Sequence, residues 1–143
     1  MKLQKNTRLA LYSVLEFAAA PGRHVAAFEI AEKYGVSPHH LAKVLSELAR
    51  EGIVESVRGV GGGYQRQVEP AQLTLREVVE PIDGPFDPIT CTSVHTQSRP
   101  SCECGVHGGC ALSRTFSELR GVVRGWLDQT TVADVIANDP PQA

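Results

Sequence analysis

The chain has 143 residues, the length of one domain with at most a short appendage. With 42% hydrophobic and 21% charged residues it is neither disordered nor fibrous, and no run of about 18 apolar residues is present to cross a membrane. The opening Met1-Lys2-Leu3-Gln4-Lys5 lacks the apolar run and cleavage site of a signal peptide, which predicts a cytoplasmic protein. Four cysteines in that reducing compartment point to metal or redox chemistry more than to structural disulfides. The net charge of −2 hides an asymmetry. Residues 1–66 carry nine Lys/Arg against six Asp/Glu, a net +3, and residues 67–143 carry five against ten, a net −5. A basic first half beside an acidic second half fits nucleic-acid binding by the first and another task for the second.

Residues 7–20 read as a helix with Leu9, Leu11, Tyr12, Leu15, Ala18 and Ala19 as a wide apolar face, ended by Pro21-Gly22. A second helix covers Ala26 to Tyr34, with Ala27, Ile30, Ala31 and Tyr34 at helical spacing. Gly35 follows, where a helix commonly turns left-handed and stops. Ser37-Pro38 opens a third helix, because Ser caps free backbone N–H groups and Pro suits the first helical position. Its buried stripe is Leu41, Val44, Leu45 and Leu48, leaving His39, His40, Lys43 and Glu47 mostly off the stripe.

After Gly52 the period changes. Ile53–Val57 reads as a strand, Arg58–Gly63 as a tight loop and Tyr64–Val68 as the returning strand of a hairpin. Thr74-Leu75-Arg76-Glu77 is a capping box that opens a short helix to about Glu80. Residues 81–109 hold four prolines, four glycines and three of the four cysteines. A structureless stretch of that length inside a compact domain is either functional or disordered. A long helix is expected from Ala111 to Leu127. Leu112, Phe116, Leu119, Val123 and Trp126 recur at spacings of four and three, one heptad-like seam that needs a partner surface. Thr131–Ala137 reads as a last short helix, before a tail of residues 138–143.

The second helix, the Gly35-Val36-Ser37 turn and the third helix match a helix-turn-helix. In that motif the second helix of the pair enters the major groove with its N-terminal residues toward base edges. Here those residues are Ser37, His39, His40 and Lys43, all hydrogen-bond donors, although capping alone would also account for Ser37. A hairpin after a helix-turn-helix is the winged-helix pattern. Arg58 and Gly59 stand where the wing tip begins, and an Arg there is drawn to the negative potential of a minor groove. The glycine run is not a phosphate loop, since no Gly-Lys-Ser/Thr and no helix follow it.

These residues carry a specific resemblance. Val36-Ser37-Pro38 with Leu41 and Leu48, followed by Gly52-Ile53-Val54-Glu55-Ser56-Val57-Arg58-Gly59-Val60-Gly61-Gly62-Gly63-Tyr64, resembles the bacterial dimeric winged-helix regulators that include IscR, NsrR and RirA. Val78-Val79-Glu80 with Ile82-Asp83-Gly84, the clustered cysteines and Thr131-Val132-Ala133-Asp134-Val135 extend it over residues 1–137. The resemblance implies a transcription regulator rather than an enzyme. It would be mainly α with a small β-wing, a winged helix-turn-helix plus a long dimerisation helix. Its homodimer would bind double-stranded operator DNA, repressing or activating transcription, with no membrane association. The expected organisation is a DNA-binding domain over 1–80, a cysteine-containing loop over 81–110, and the dimerisation helix with a short last helix over 111–137.

Iron–sulfur clusters are held mainly by Cys thiolates. Cys91, Cys102, Cys104 and Cys110 fall within one expected loop, and Cys110 precedes a helix N-terminus whose dipole favours the thiolate. Cluster-binding members of the resembled family carry three cysteines, the last two separated by five residues. That maps a [2Fe-2S] or [4Fe-4S] cluster onto Cys91, Cys104 and Cys110, with Cys102 and His107 as further candidates. The fourth ligand has no direct counterpart. Where some relatives have a His three residues past the last Cys this chain has Ser113, and where others use a carboxylate from position eight of the partner chain it has Arg8. His95, His107 or Cys102 could substitute. Three other readings stand beside the cluster. Zinc lacks its usual C-x2–4-C pairs here. A metal-free thiol switch would form reversible disulfides. A cysteine redox enzyme finds neither a C-x-x-C motif nor a general base.

Overall fold

The computed structural model describes residues 3–88 and 111–138. Within them the order is α1 (Lys5–Ala19), α2 (Ala27–Tyr34), α3 (Pro38–Arg50), β1 (Val54–Val57), β2 (Gly63–Arg66), α4 (Leu75–Asp83), α5 (Ala111–Gln129) and α6 (Val132–Ala137). β1 and β2 form a two-stranded antiparallel hairpin in which Val54 faces Arg66 and Val57 faces Gly63. This is the mainly helical, winged architecture that the sequence predicts.

The core lies where α1, α3 and α4 meet beneath the hairpin. Leu41, Val44, Leu45 and Leu48 are all buried, as their spacing requires. α1 meets expectation in part, with Leu9 buried and Leu11, Leu15 and Ala18 packed against the core. Its buried residues are Thr7, Leu9, Ala10, Ser13, Val14 and Phe17, while Tyr12 is 43% exposed. The helix is apolar almost all round, so periodicity alone does not select a face. The packing of Phe17, 1% exposed, against its neighbours decides it.

α1 is tied to α2 at its rim. The Tyr34 hydroxyl and Lys33 Nζ both donate to Glu16 Oε1, at 2.7 and 2.5 Å, and the Tyr12 and Tyr34 rings stack with centroids 4.8 Å apart. Burial pushes the Glu16 carboxyl up, but the hydrogen bonds from Lys33 and Tyr34 outweigh it and hold the group below its ordinary range. Burial, and then the adjacent carboxylate, push the Tyr34 phenol well above its usual value.

α4 continues one turn past the expected end, through Pro81 to Asp83. Pro81 lacks one N–H, yet the Gly84 N–H still reaches the Glu80 carbonyl at 2.8 Å and Ile82 packs on the core. α5 runs two residues beyond Leu127, and every one of its residues whose burial is described is exposed or half-exposed. It is held along one edge by ion pairs from Arg76 to Asp128, from Arg124 to Glu80 at 3.8 Å and from Arg120 to Asp87 at 2.6 Å. At its C-terminal end, the Leu75 N–H donates to the Thr130 carbonyl and the Val132 N–H to the Leu73 carbonyl, both at 2.9 Å.

α6 begins with a reciprocal cap. The Asp134 N–H donates to Thr131 Oγ1, and Asp134 Oδ2 accepts from both the Thr131 N–H and its hydroxyl. These bonds, the backbone one first, hold the Asp134 carboxyl below its ordinary value. A depressed carboxylate stabilises the fold above its unfolded pKa, and that contribution disappears as the pH falls through the folded one. Thr131→Ala is expected to cost about 0.5–2 kcal/mol at neutral pH. Denaturant titration should show the gap from wild type narrowing below about pH 4 as Asp134 is protonated. A gap that does not change with pH would mean that the Thr131 hydroxyl adds nothing to the carboxylate's stabilisation.

Candidate nucleic-acid interface

Ser37 caps α3. Its Oγ accepts from the His40 N–H at 3.1 Å, and the hydroxyl hydrogen remains free to donate outward. The apolar stripe on the core fixes the roll of the helix. His39, Lys43, Ser46 and Arg50 follow at spacings of four, three and four, and all four are exposed. They form one polar row on the side away from the core. Ser46 and Arg50 were not among the expected contacts. Their signal is the same row continued one turn further, with Arg50 also paired to Glu47 and Glu51.

His40 lies apart from that row. It is half-buried, in a cleft of about 340 Å³ lined by Asn6 of α1, Lys43, Val44 and Glu47 of α3, and Pro81 and Ile82 of α4. Its Nε2 is buried and has no hydrogen-bond partner among the described residues. The structure thus gathers Ser37, His39 and Lys43 on the open surface at the start of α3, with His40 turned to the side.

The hairpin extends the surface. Arg58 and Gly59 are exposed, and Val60 stands fully clear of the protein at the tip. The Gly62 N–H closes the turn on the Gly59 carbonyl at 3.0 Å. The other end of the wing is docked on the body. The Val25 N–H donates to the Tyr64 carbonyl at 2.8 Å, and the Tyr64 N–H to the Val25 carbonyl at 2.9 Å. Gly63 permits that approach, since a Cβ there would lie 2.6 Å from the Val25 oxygen.

Cys91, Cys102, Cys104, Cys110 and His107 lie outside the described residues. Among the described residues no group of three or more His, Cys, Asp or Glu side chains is placed to hold a metal ion. Arg8 is exposed on α1, and its guanidinium offers donors only, so it cannot serve as a metal ligand. The four thiols suit iron–sulfur ligation by their chemistry, and Arg8 adds no ligand to them.

The profile of the Rrf2 family, described as an iron-dependent transcriptional regulator, matches residues 3–138. This chain belongs to the Rrf2 family. The family is one of transcriptional regulators and not of enzymes, which agrees with a surface built from a helix-turn-helix and a wing. Among similar proteins, the HTH-type transcriptional regulator NsrR of Bacillus subtilis is 32% identical over 140 residues, 96% of this chain and 92% of its own. The putative HTH-type transcriptional regulator BadM of Rhodopseudomonas palustris is 52% identical over 79 residues, which span 55% of this chain and 51% of that protein. The structure of CymR, the global cysteine regulator of B. subtilis, superposes with a TM-score of 0.75 at 26% identity over 98% of this chain and 99% of that one. No helix among the described residues is long and apolar enough to cross a membrane.

Proposed function

We propose that this regulator binds operator DNA as a homodimer and that an iron–sulfur cluster held by Cys91, Cys104 and Cys110 governs the binding. The observation that carries the DNA part is the polar row of His39 and Lys43 on a capped α3, presented beside a wing that ends in Arg58. In that arrangement Lys43 and Arg58 supply the positive charge that neutralises phosphate or enters a groove, and Ser37 and His39 supply donors to base edges. His39 can also accept. The cluster part rests on the iron-dependent family description, the similarity to NsrR over nearly the whole of both chains, and the thiol-rich segment between α4 and α5.

The dimer is supported by α5. Leu112 and Trp126 are 61% and 59% exposed on the seam that also carries Phe116, Leu119 and Val123. A second copy of the helix would cover that stripe. Two α3 helices would then reach successive major grooves about 34–36 Å apart. When bound, the cluster would supply a redox- or iron-responsive group that shifts the population between binding and non-binding states. The ion pairs along α4 and α5 hold the long helix against the DNA-binding half in the state described.

A second reading is a metal-free thiol switch in the same fold. It is favoured by Arg8 and Ser113 standing where the resemblance expects the remaining ligand, and by the additional Cys102. Anaerobic purification with a visible spectrum, iron and acid-labile sulfide analysis, and DNA titration at several salt concentrations separates the readings. Iron and sulfide in near-equal amounts, with DNA affinity that changes on their removal, is the expected result. Protein that carries zinc, or no metal, and still switches its DNA affinity with thiol oxidation would overturn the cluster.

Within the wing, Arg58→Ala is expected to weaken operator binding by about 1–3 kcal/mol. Unchanged affinity with an unchanged salt slope would remove Arg58 from the interface.

A further inference from the structure

We infer that His40 is a positioning residue for the DNA-reading helix, acting through the end of α4 and not by touching DNA. The inference rests on the DNA-binding reading above. On α3 the exposed row runs through residues 39, 43, 46 and 50, and the buried stripe through 41, 44, 45 and 48. Residue 40 belongs to neither. It lies on the flank of the helix that faces Pro81 and Ile82 of α4 and Asn6 of α1.

Its imidazole is the side chain of the first helical turn that lines the cleft between α3 and the end of α4. The His40 backbone N–H is at the same time the donor captured by Ser37 Oγ at 3.1 Å. One residue therefore takes part in the start of α3 twice, through the cap on its main chain and through a ring that walls the cleft facing α4. The ring's Nε2 is sealed from solvent without a partner, which a group reading a base edge in a wet groove would not show. A ring so placed contributes by shape, walling the cleft beside Val44, and so sets the tilt at which His39 and Lys43 meet DNA.

The arrangement also gives α4 a mechanical hold on α3. Ile82 stands one residue before the end of α4, and the chain beyond it leads through Gly84 toward the cysteine-bearing segment. On this inference a displacement of that end is felt at α3 through the cleft that His40 and Ile82 line together.

The test uses the full chain and a duplex that the wild-type protein selects from a random-sequence library. His40→Ala, His40→Phe, Ile82→Ala and the His40→Ala/Ile82→Ala double variant are compared with wild type and with Lys43→Ala. His40→Ala is expected to weaken binding about 5- to 30-fold, with the salt slope unchanged because no phosphate contact is lost. His40→Phe should restore most of the affinity, since it rebuilds the ring that walls the cleft without a polar atom. The double variant should be little worse than the poorer single one, as for two residues sharing one contact. Single base-pair changes in the duplex should keep their relative penalties in His40→Ala.

Loss of discrimination at one base pair, a shallower salt slope, failure of His40→Phe to restore binding, or full additivity with Ile82→Ala would each overturn the positioning role. A wild-type protein that selects no sequence would instead overturn the DNA-binding reading, and this role with it.

Discussion

Gly63→Ala is expected to detach the wing from the body of the protein. At Gly63 the backbone has φ +152°, and a Cβ would sit 2.6 Å from the Val25 carbonyl oxygen and 2.8 Å from its carbon. Both obstacles are main chain, so no rotamer change relieves them. β2 must move away, and the two hydrogen bonds between Val25 and Tyr64 go with it. At about 1 kcal/mol net for each bond and roughly another 1–3 kcal/mol for a side chain forced into that backbone region, the loss is about 3–5 kcal/mol. For a chain of this size the unfolding midpoint should fall by about 10 °C or more.

DNA affinity should fall further than in Arg58→Ala, because the whole wing loses its orientation. Gly121→Ala is the control. Nothing lies within 4 Å of a Cβ at that exposed position in α5, so replacing a helical glycine there should leave stability unchanged or raise it by up to about 1 kcal/mol. If Gly63→Ala melts and binds DNA like wild type, the docking of β2 on Val25 is not what orients the wing.

The parts of the fold that were legible in the sequence are those where one signal acts alone. α3 carries a narrow stripe, Leu41/Val44/Leu45/Leu48, between a Ser-Pro start and Gly52, so its face and its ends follow from spacing and capping. The hairpin follows from alternation around a glycine loop. α1 was legible as a helix and in part as a face: Leu9, Leu11, Leu15 and Ala18 do pack on the core, but the burial of Val14 and Phe17 and the exposure of Tyr12 depend on tertiary packing. The end of α4 was misplaced because Pro81 reads as a stop. A proline in a last turn removes a single N–H, and the packing of Ile82 keeps the helix going. At the interface, the chemistry of Ser37, His39, Lys43 and Arg58 was readable in one dimension. The sideways turn of His40 was not, since it depends on a cleft formed with α1 and α4, about 35 and 40 residues away in sequence. The continuation of the row to Ser46 and Arg50 was available in the spacing alone.

The cysteines divide into three that should matter greatly and one that should not. Cys91→Ala, Cys104→Ala and Cys110→Ala are each expected to lose most of the iron, sulfide and visible absorbance, and Cys102→Ala to keep most of it. Each of the first three removes a thiolate from the mapped set, and among the described residues no group of three or more His, Cys, Asp or Glu side chains stands ready to hold the metal instead. Cys104 and Cys110 are joined by Gly105-Val106-His107-Gly108-Gly109, a bridge rich enough in glycine to bend two thiolates toward one centre. Cys102 is separated from Cys104 by Glu103 alone, too short a link for both thiolates to occupy one iron comfortably. The unfolding midpoint of the metal-free protein, measured in all four variants, checks that each one keeps its fold. A drop in metal content can therefore be told apart from a failure to fold. The comparison is made on anaerobically prepared protein, with far-ultraviolet circular dichroism alongside iron and sulfide analysis. Loss of the cluster in Cys102→Ala together with its retention in Cys104→Ala would exchange the middle ligand. Retention in all four variants would place the cluster, if one is bound, on donors other than these thiolates and end the assignment.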